Sequence, residues 1–142
     1  MKVVIDTVVL VRSLIGPYSW WGQLVFDYPE RYELVVSPPI VAEYLEVVHR
    51  PSLLHKFHAV ATRDLGTILN FVANATVVQP TSTPAICRDP GDDKFLAAKT
   101  AGAQFIVTED LDLLDLGSYE GIQIVGAEAF LLVLETLAET GG

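Results

Sequence analysis

Short runs of apolar, mostly β-branched residues alternate along this chain with longer segments of helical pattern, and this alternation limits the fold more than any other feature. The runs lack polar alternation, which is typical of strands covered on both faces of a sheet. Strands that alternate with helices predict an α/β fold in which helices flank a mainly parallel sheet. The predicted strands are residues 3–5, 34–36, 76–78, 105–107 and 122–125.

The segments between these strands predict the helices. Ser37 is a suitable N-cap and Pro38 suits the first helical position, so one helix is expected to begin there. Gly102 is expected to end the helix over residues 92–101, because glycine readily adopts the conformation that closes a helix. The other predicted helices cover residues 20–28, 53–58, 62–73 and 127–138.

Length and composition exclude several classes of protein. The 142 residues suit a single domain over residues 1–142, and a hydrophobic fraction of 51% excludes intrinsic disorder. Cys87 is the only cysteine, which excludes an internal disulfide and a zinc site built from cysteines. No apolar run approaches the roughly 20 residues of a membrane span, and Asp6 comes too early for a signal peptide. We therefore expect a cytoplasmic protein without membrane contact.

The distribution of charge is more informative than the formal net charge of −9. An acidic chain argues against nucleic-acid binding, because attraction to phosphate depends largely on Lys and Arg. However, all nine basic residues lie within residues 1–99, where ten acids nearly balance them. Residues 100–142 hold eight acids and no Lys or Arg. The sequence thus predicts a nearly neutral body with an acidic C-terminal third.

Carboxylates follow the predicted strands at the edge where parallel sheets bind ligands. Asp6 directly follows the first strand, and it is either the N-cap of the next helix or a residue of the cleft. Glu43 shares a helix face with Ile40 and Val47, so we expect apolar neighbours around it. Glu46, by contrast, precedes Arg50 by four residues and is interpreted as half of a surface ion pair.

Two later segments add further acids. Asp92 can cap the helix that follows, and Asp93 falls in its first turn, where its side chain can face the cleft. Asp110 or Thr108 can cap a short helix after the fourth strand, with Asp112 near the same site. Glu109 and Asp115 are expected to be solvated.

Carboxylates gathered at one rim need compensation, because a like-charge pair about 4 Å apart costs about 4 kcal/mol at an effective dielectric near 20. A hard divalent cation provides it, since Mg²⁺ takes one or two carboxylates together with water and substrate phosphate. Such ions activate water and stabilise the leaving oxygen of a phosphodiester. The residues therefore predict a Mg²⁺ or Mn²⁺ site for phosphoryl chemistry.

Four acidic segments in this order resemble the PIN-domain family, in particular the VapC-like toxin ribonucleases of toxin–antitoxin pairs. The resemblance implies a three-layer α/β/α sandwich, metal-dependent cleavage of RNA as an endoribonuclease, a protein antitoxin as partner and frequently a homodimer. The segments that carry it are residues 3–10, 37–43, 89–98 and 107–114.

The resemblance also implies a set of site residues. It maps the catalytic, metal-binding acids onto Asp6, Glu43, Asp93 and Asp110, with Asp112 as an additional metal ligand. The family usually has Asn after the Asp-Thr pair, whereas this chain has Val8. That departure leaves a polar partner of the site missing.

Three basic residues near the acidic segments are hypothesised to hold the RNA backbone, namely Arg12, Arg88 and Lys94. In the alternative interpretation, Arg88 pairs with a neighbouring acid and Arg12 is solvated. Trp20 and Trp21 could stack on bases, but neighbouring aromatics in an apolar helix more often belong to the core or to a dimer contact.

Other functions stay open at this point. In one alternative, Val8 marks a weakened site kept for binding RNA or a partner protein without turnover. A different phosphoryl-transfer enzyme is disfavoured. A haloacid-dehalogenase-type phosphatase needs a second Asp at the position of Val8. A P-loop enzyme needs a Gly-rich loop ending in Gly-Lys-Ser/Thr, which this sequence lacks. A response-regulator receiver needs an Asp after the middle strand, where this chain has Ser37 at the beginning of a helix.

Overall fold

A six-stranded sheet forms the centre of the computed structural model, which describes residues 1–16, 19–51, 65–79 and 92–140. The strand order is β3–β2–β1–β4–β6–β5; neighbouring strands are parallel except for β5, which runs antiparallel to β6. The predicted α/β fold with a mainly parallel sheet is therefore confirmed. The strands are β1 Lys2–Ile5, β2 Glu33–Val36, β3 Thr76–Val77, β4 Phe105–Val107, β5 Ser118–Tyr119 and β6 Ile122–Val125.

Helices flank this sheet. Within the described part of the chain, none of them combines the length and apolar character that a bilayer span requires. The helix predicted over residues 53–58 and the start of the one predicted over residues 62–73 lie outside the described residues. The helices are α1 Thr7–Ile15, α2 Trp20–Gly22 with a π-helical continuation Gln23–Asp27, a 3₁₀ turn Pro29–Arg31, α3 Pro38–Val48, α4 Leu65–Ala73, α5 Asp92–Ala101, α6 Leu111–Leu116 and α7 Ala127–Thr140.

The strand β1 lies in the middle of the sheet because its side chains are apolar on both faces. Val3 and Val4 are fully buried, and Ile5 lies opposite Val107 of β4. Helix α5 packs against β1, with two fully buried alanines on its inner face that allow a close approach. This packing brings the beginning of α5 to the end of β1, where Asp6 lies.

Local signals in the sequence set the helix ends as expected. The Ser37 hydroxyl accepts a hydrogen bond from the Ile40 N–H (3.5 Å), and Pro38 occupies the first position of α3. Gly102 follows α5 with a φ of +69°, a conformation that side chains disfavour. These signals fix the beginning of α3 and the end of α5.

The carboxyl ends of the central strands as a candidate active site

Asp6 lies at the carboxyl end of the central strand and is buried, with an exposed fraction of 4%. Its backbone N–H donates to the Val107 carbonyl (2.9 Å), which extends the pairing of β1 with β4 by one residue. Asp6 is the N-cap residue of α1, yet its side chain makes no capping hydrogen bond. The Asp6 side chain therefore does not act as the cap that one of the two expectations gave it.

Two side chains hold the Asp6 carboxylate. The Lys94 ammonium lies 3.0 Å from Oδ1, and the Thr108 hydroxyl donates to Oδ2 over 2.7 Å. The Lys94 side chain is 14% exposed, and Thr108 is fully buried. A buried carboxylate is costly without such partners, so the contacts with Lys94 and Thr108 offset the cost of burying Asp6.

The Thr108 hydroxyl also joins Asp6 to the fourth acidic segment, residues 107–114. While its proton is donated to Asp6, its oxygen accepts a hydrogen bond from the Asp110 N–H (3.1 Å). The Asp110 carboxylate in turn accepts from the Asp112 N–H (3.0 Å) and caps α6. Asp110 and Asp112 are both exposed, so their carboxylates are accessible from solvent at this edge. The sequence indicated Thr108 only as a cap; its bond to Asp6 spans 102 residues and has no local signal.

Glu43 lies on α3 with an exposed side chain. On the same face of α3, Ile40 is buried and Val47 is half-buried, while the next residue, Tyr44, is fully buried in the core. The Tyr44 hydroxyl donates to the Ile5 carbonyl at the end of β1. Burial, reinforced by the negative charge of Asp6 and more weakly by that of Glu43, raises the pKa of Tyr44 well above its usual range.

Glu46 forms the surface ion pair that its spacing predicted. Both guanidinium contacts from Arg50 measure 2.9 Å, and the two side chains are more than half exposed. Hydrogen bonding to Arg50 lowers the pKa of Glu46 below its usual value. Glu46 is thus a structural surface residue, as expected.

The donor chemistry at this edge fits a hard cation. The Thr108 hydroxyl binds the Asp6 carboxylate and the Asp110 backbone N–H, and Mg²⁺ commonly takes one or two carboxylates such as those of these two residues. Among the residues that the structure describes, however, no three acidic, His or Cys side chains form one group. Asp93 lies in the first turn of α5, as expected, but its side chain is outside the described part.

Among the predicted phosphate-binding residues, Lys94 contacts Asp6, and Arg88 lies outside the described residues. Arg12 is exposed, as its alternative interpretation expected, and its guanidinium lies 5.1 Å from the centre of the Trp21 ring. Trp20 is 42% exposed and packs edge-on against Trp21. The Arg12–Trp21 contact fixes the far end of α1 rather than the carboxyl edge itself.

Glu109 makes structural contacts that the sequence interpretation missed. Its Oε1 accepts hydrogen bonds from the Trp21 indole N–H (3.1 Å) and from the Ala127 N–H (3.0 Å). The expectation of a solvated Glu109 is therefore wrong, because this side chain ties α2 to the beginning of α7. The local sequence gave no signal, since its partners lie 88 and 18 residues away.

The beginning of α1 carries two features that bear on the chemistry. Val8, at the position where Asn was expected by resemblance, is 46% exposed and offers no polar group to the cleft. Thr7 is 4% exposed, and within the described part of the chain its hydroxyl has no hydrogen-bond partner. The edge therefore has its buried acid and its lysine in place, while the polar contact of an Asn side chain is missing.

Comparisons with known proteins agree with this architecture. Residues 2–112 match the family model described as "PIN domain". Over 117 residues the chain is 30% identical to the uncharacterized protein MJ1680 of Methanocaldococcus jannaschii, covering 82% of this chain and 75% of that protein. The fold of this chain is similar to that of a chain in the crystal structure of VapBC2 from Rickettsia felis bound to a DNA fragment from their promoter. The TM-score is 0.57 at 11% identity, and the match covers 87% of this chain and 97% of the other. The chain belongs to the PIN-domain family.

Proposed function

We propose that this protein is a metal-dependent endoribonuclease that hydrolyses phosphodiester bonds of RNA. The observation that carries the proposal is the buried Asp6 carboxylate at the end of β1, joined through the Thr108 hydroxyl to Asp110 at the end of β4. Proteins with a PIN domain are generally nucleases, so the family supports hydrolysis of nucleic acid. The choice of RNA as substrate is part of the proposal.

The proposed cofactor is Mg²⁺ or Mn²⁺. Asp6 and Asp110 are the first ligands we assign, with Glu43, Asp93 and Asp112 as the other acids of the proposed site. When bound, such an ion activates water and stabilises the charge that develops on a phosphodiester. Thr108 orients the Asp6 carboxylate by donating to Oδ2, while Oδ1 contacts the Lys94 ammonium. Arg12, Arg88 and Lys94 are proposed to hold the RNA backbone.

We further propose that the protein is the toxin of a toxin–antitoxin pair and acts in the cytoplasm. A solved structure of similar fold is of VapBC2 bound to promoter DNA, and by analogy we propose a protein antitoxin as the partner of this chain. A homodimer is likewise part of the proposal. The eight acids of residues 100–142, which contain no Lys or Arg, would attract a basic segment of that partner.

The experiment that tests the nuclease is cleavage of single-stranded RNA oligonucleotides by the purified protein. We expect cleavage with Mg²⁺ or Mn²⁺, loss of cleavage with a chelator, and recovery when Mn²⁺ is added back. Asp6→Asn should reduce cleavage to background, whereas the surface variant Glu46→Gln should keep it. Equal cleavage by wild type and Asp6→Asn would reveal a contaminating nuclease and contradict the proposal.

A second candidate function is a weakened PIN-like module that binds RNA or a partner protein without turnover. The exposed Val8 favours it, because the polar side chain of the family is absent at the edge of the site. In that case the wild type binds RNA but does not cleave it, and Val8→Asn gains metal-dependent cleavage. Since Val8 is 46% exposed, this substitution should leave the melting temperature nearly unchanged. If the wild type cleaves RNA and Val8→Asn cleaves it no faster, the hypothesis of a weakened module is rejected.

A further inference from the structure

We propose that Lys94 is the internal counter-ion of the metal site. When no divalent ion is bound, its ammonium contacts the Asp6 carboxylate, and this contact lowers the affinity of the chain for the ion. This inference rests on the proposed metal site. Its basis is the contact between Lys94 Nζ and Asp6 Oδ1, 3.0 Å long, between side chains that are 14% and 6% exposed.

Charge balance at Asp6 explains why the pair forms. The carboxylate is nearly excluded from water, and its second oxygen is held by the Thr108 hydroxyl, which is neutral. Among the described residues, Lys94 is the cationic side chain in contact with it. Removing one partner of such a buried pair leaves an uncompensated charge, which is strongly unfavourable.

A divalent ion that binds Asp6 must compete with this ammonium. Two cations on one carboxylate repel each other, so the ion either displaces Lys94 from Oδ1 or binds more weakly beside it. The lysine side chain is suited to displacement because its ammonium is a compact charge on a flexible stem. Ion binding is therefore an exchange, and its affinity is lower than that of the same carboxylates without Lys94.

The exchange gives Lys94 a second role during the proposed reaction. Once displaced, its ammonium is a free cation beside the carboxyl edge, where it can pair with a phosphate of RNA. A substrate that offers Lys94 a new partner would favour the displaced state, and by linkage the ion and the RNA would strengthen each other's binding.

Lys99 provides a matched control on the same helix. It pairs with Glu120 over 3.0 Å, the same distance as in the Lys94–Asp6 pair. The Lys99 pair is exposed, however, with side chains that are 61% and 48% accessible. Solvent screens exposed pairs, so removal of the Lys99 charge should affect neither stability nor ion binding appreciably.

The test measures Mn²⁺ binding by titration calorimetry on the full chain without RNA, so that it does not depend on activity. Lys94→Met keeps the apolar stem and removes the charge. We expect it to bind Mn²⁺ at least about tenfold more tightly than the wild type, which corresponds to about 1.4 kcal/mol. It should also have a lower melting temperature without the ion and a larger rise with it. Lys99→Met should match the wild type, and Asp6→Asn combined with Lys94→Met should lose the gain.

A measurement on the wild-type chain keeps the proposal testable if Lys94→Met does not fold. Amine labelling followed by mass spectrometry should show that Lys94 becomes more reactive at saturating Mn²⁺ while Lys99 does not change. Two results would overturn this inference: labelling of Lys94 that Mn²⁺ does not change, or Mn²⁺ binding by Lys94→Met that is no tighter than binding by the wild type. If the wild type still cleaves RNA with Mn²⁺, the proposed nuclease is unaffected by either result. Absence of both Mn²⁺ binding and cleavage in every variant would overturn the proposed nuclease as well.

Discussion

At the scale of single residues, the Thr108 hydroxyl organises the carboxyl edge because it uses both of its hydrogen-bonding functions. It donates to Asp6 on β1 and accepts from the backbone of Asp110 after β4. Thr108 is completely buried, so water cannot replace either contact. The relative position of the two acids therefore depends on one oxygen atom.

Thr108→Val tests this dependence, since valine has nearly the same shape without the hydroxyl. We expect the free energy of unfolding to fall by about 1–3 kcal/mol, because the Asp6 carboxylate and the Asp110 N–H lose a buried partner. Cleavage of RNA should fall by roughly 10- to 100-fold, as for other residues that orient a metal ligand. Urea denaturation and cleavage kinetics with Mn²⁺ measure the two effects.

The control for this variant is Thr136→Val, which removes an exposed hydroxyl that donates to the Leu132 carbonyl on α7. Exposed substitutions of this kind change stability within about 0.5 kcal/mol. If Thr108→Val retained wild-type stability and cleavage, the hydroxyl would not be the link between the two acids.

The sequence predicted the acids of this edge but not their partners, and the reason is physical. Asp6 and Asp110 each follow an apolar strand, which is a local pattern, and parallel strands end at one edge. The contacts of Asp6 with Lys94 and Thr108 join residues about 90 and 102 positions apart, and side-chain packing alone decides them.

At the scale of elements, periodicity located most helices and strands because burial on both faces leaves a strong pattern. The strand β5 escaped prediction because its two residues are exposed and pair only along the edge with β6. Helix α7 begins at Ala127 as expected, but the side chain that binds its first N–H, Glu109, comes from the loop after β4. The ends of these elements are thus partly fixed by residues outside them.

Glu109→Ala tests how much that contact stabilises the junction of α2, α7 and the loop after β4. The variant leaves the Ala127 N–H and the Trp21 indole N–H without their acceptor. We expect a loss of about 1–2 kcal/mol in the free energy of unfolding, close to that of a lost N-cap with a second hydrogen bond. Urea denaturation followed by circular dichroism gives this value.

Glu135→Ala is the matched comparison, because Glu135 is exposed on the same helix, α7. Its effect should stay within about 0.5 kcal/mol. Equal stability of the two variants would mean that the Glu109 contacts contribute nothing net. A change in tryptophan emission in Glu109→Ala alone would locate the perturbation at the Trp21 indole.

At the scale of the whole molecule, the net charge of −9 is concentrated where it does not oppose the proposed chemistry. Asp6 is paired with Lys94, and the ten acids of residues 1–99 nearly balance nine basic residues. Residues 100–142 carry the remaining excess, and the outer face of α7 exposes Glu128 and Glu135 around Leu132, which is 60% exposed. Such a face suits a partner segment that combines positive charge with apolar side chains.

The double variant Glu135→Gln/Glu139→Gln tests whether this charge serves the proposed antitoxin. The partner for the assay is the small basic protein that we expect to be encoded beside this one. Removing two charges should weaken the complex about tenfold at low salt and reduce the dependence of its affinity on ionic strength, because rim charges act mainly by screened attraction. Glu46→Gln, whose charge lies outside the acidic third, should not alter the affinity. If the double variant binds the antitoxin as tightly as the wild type at every salt concentration, the antitoxin binds elsewhere on the molecule. That outcome would leave the proposed RNA cleavage at Asp6 unaffected.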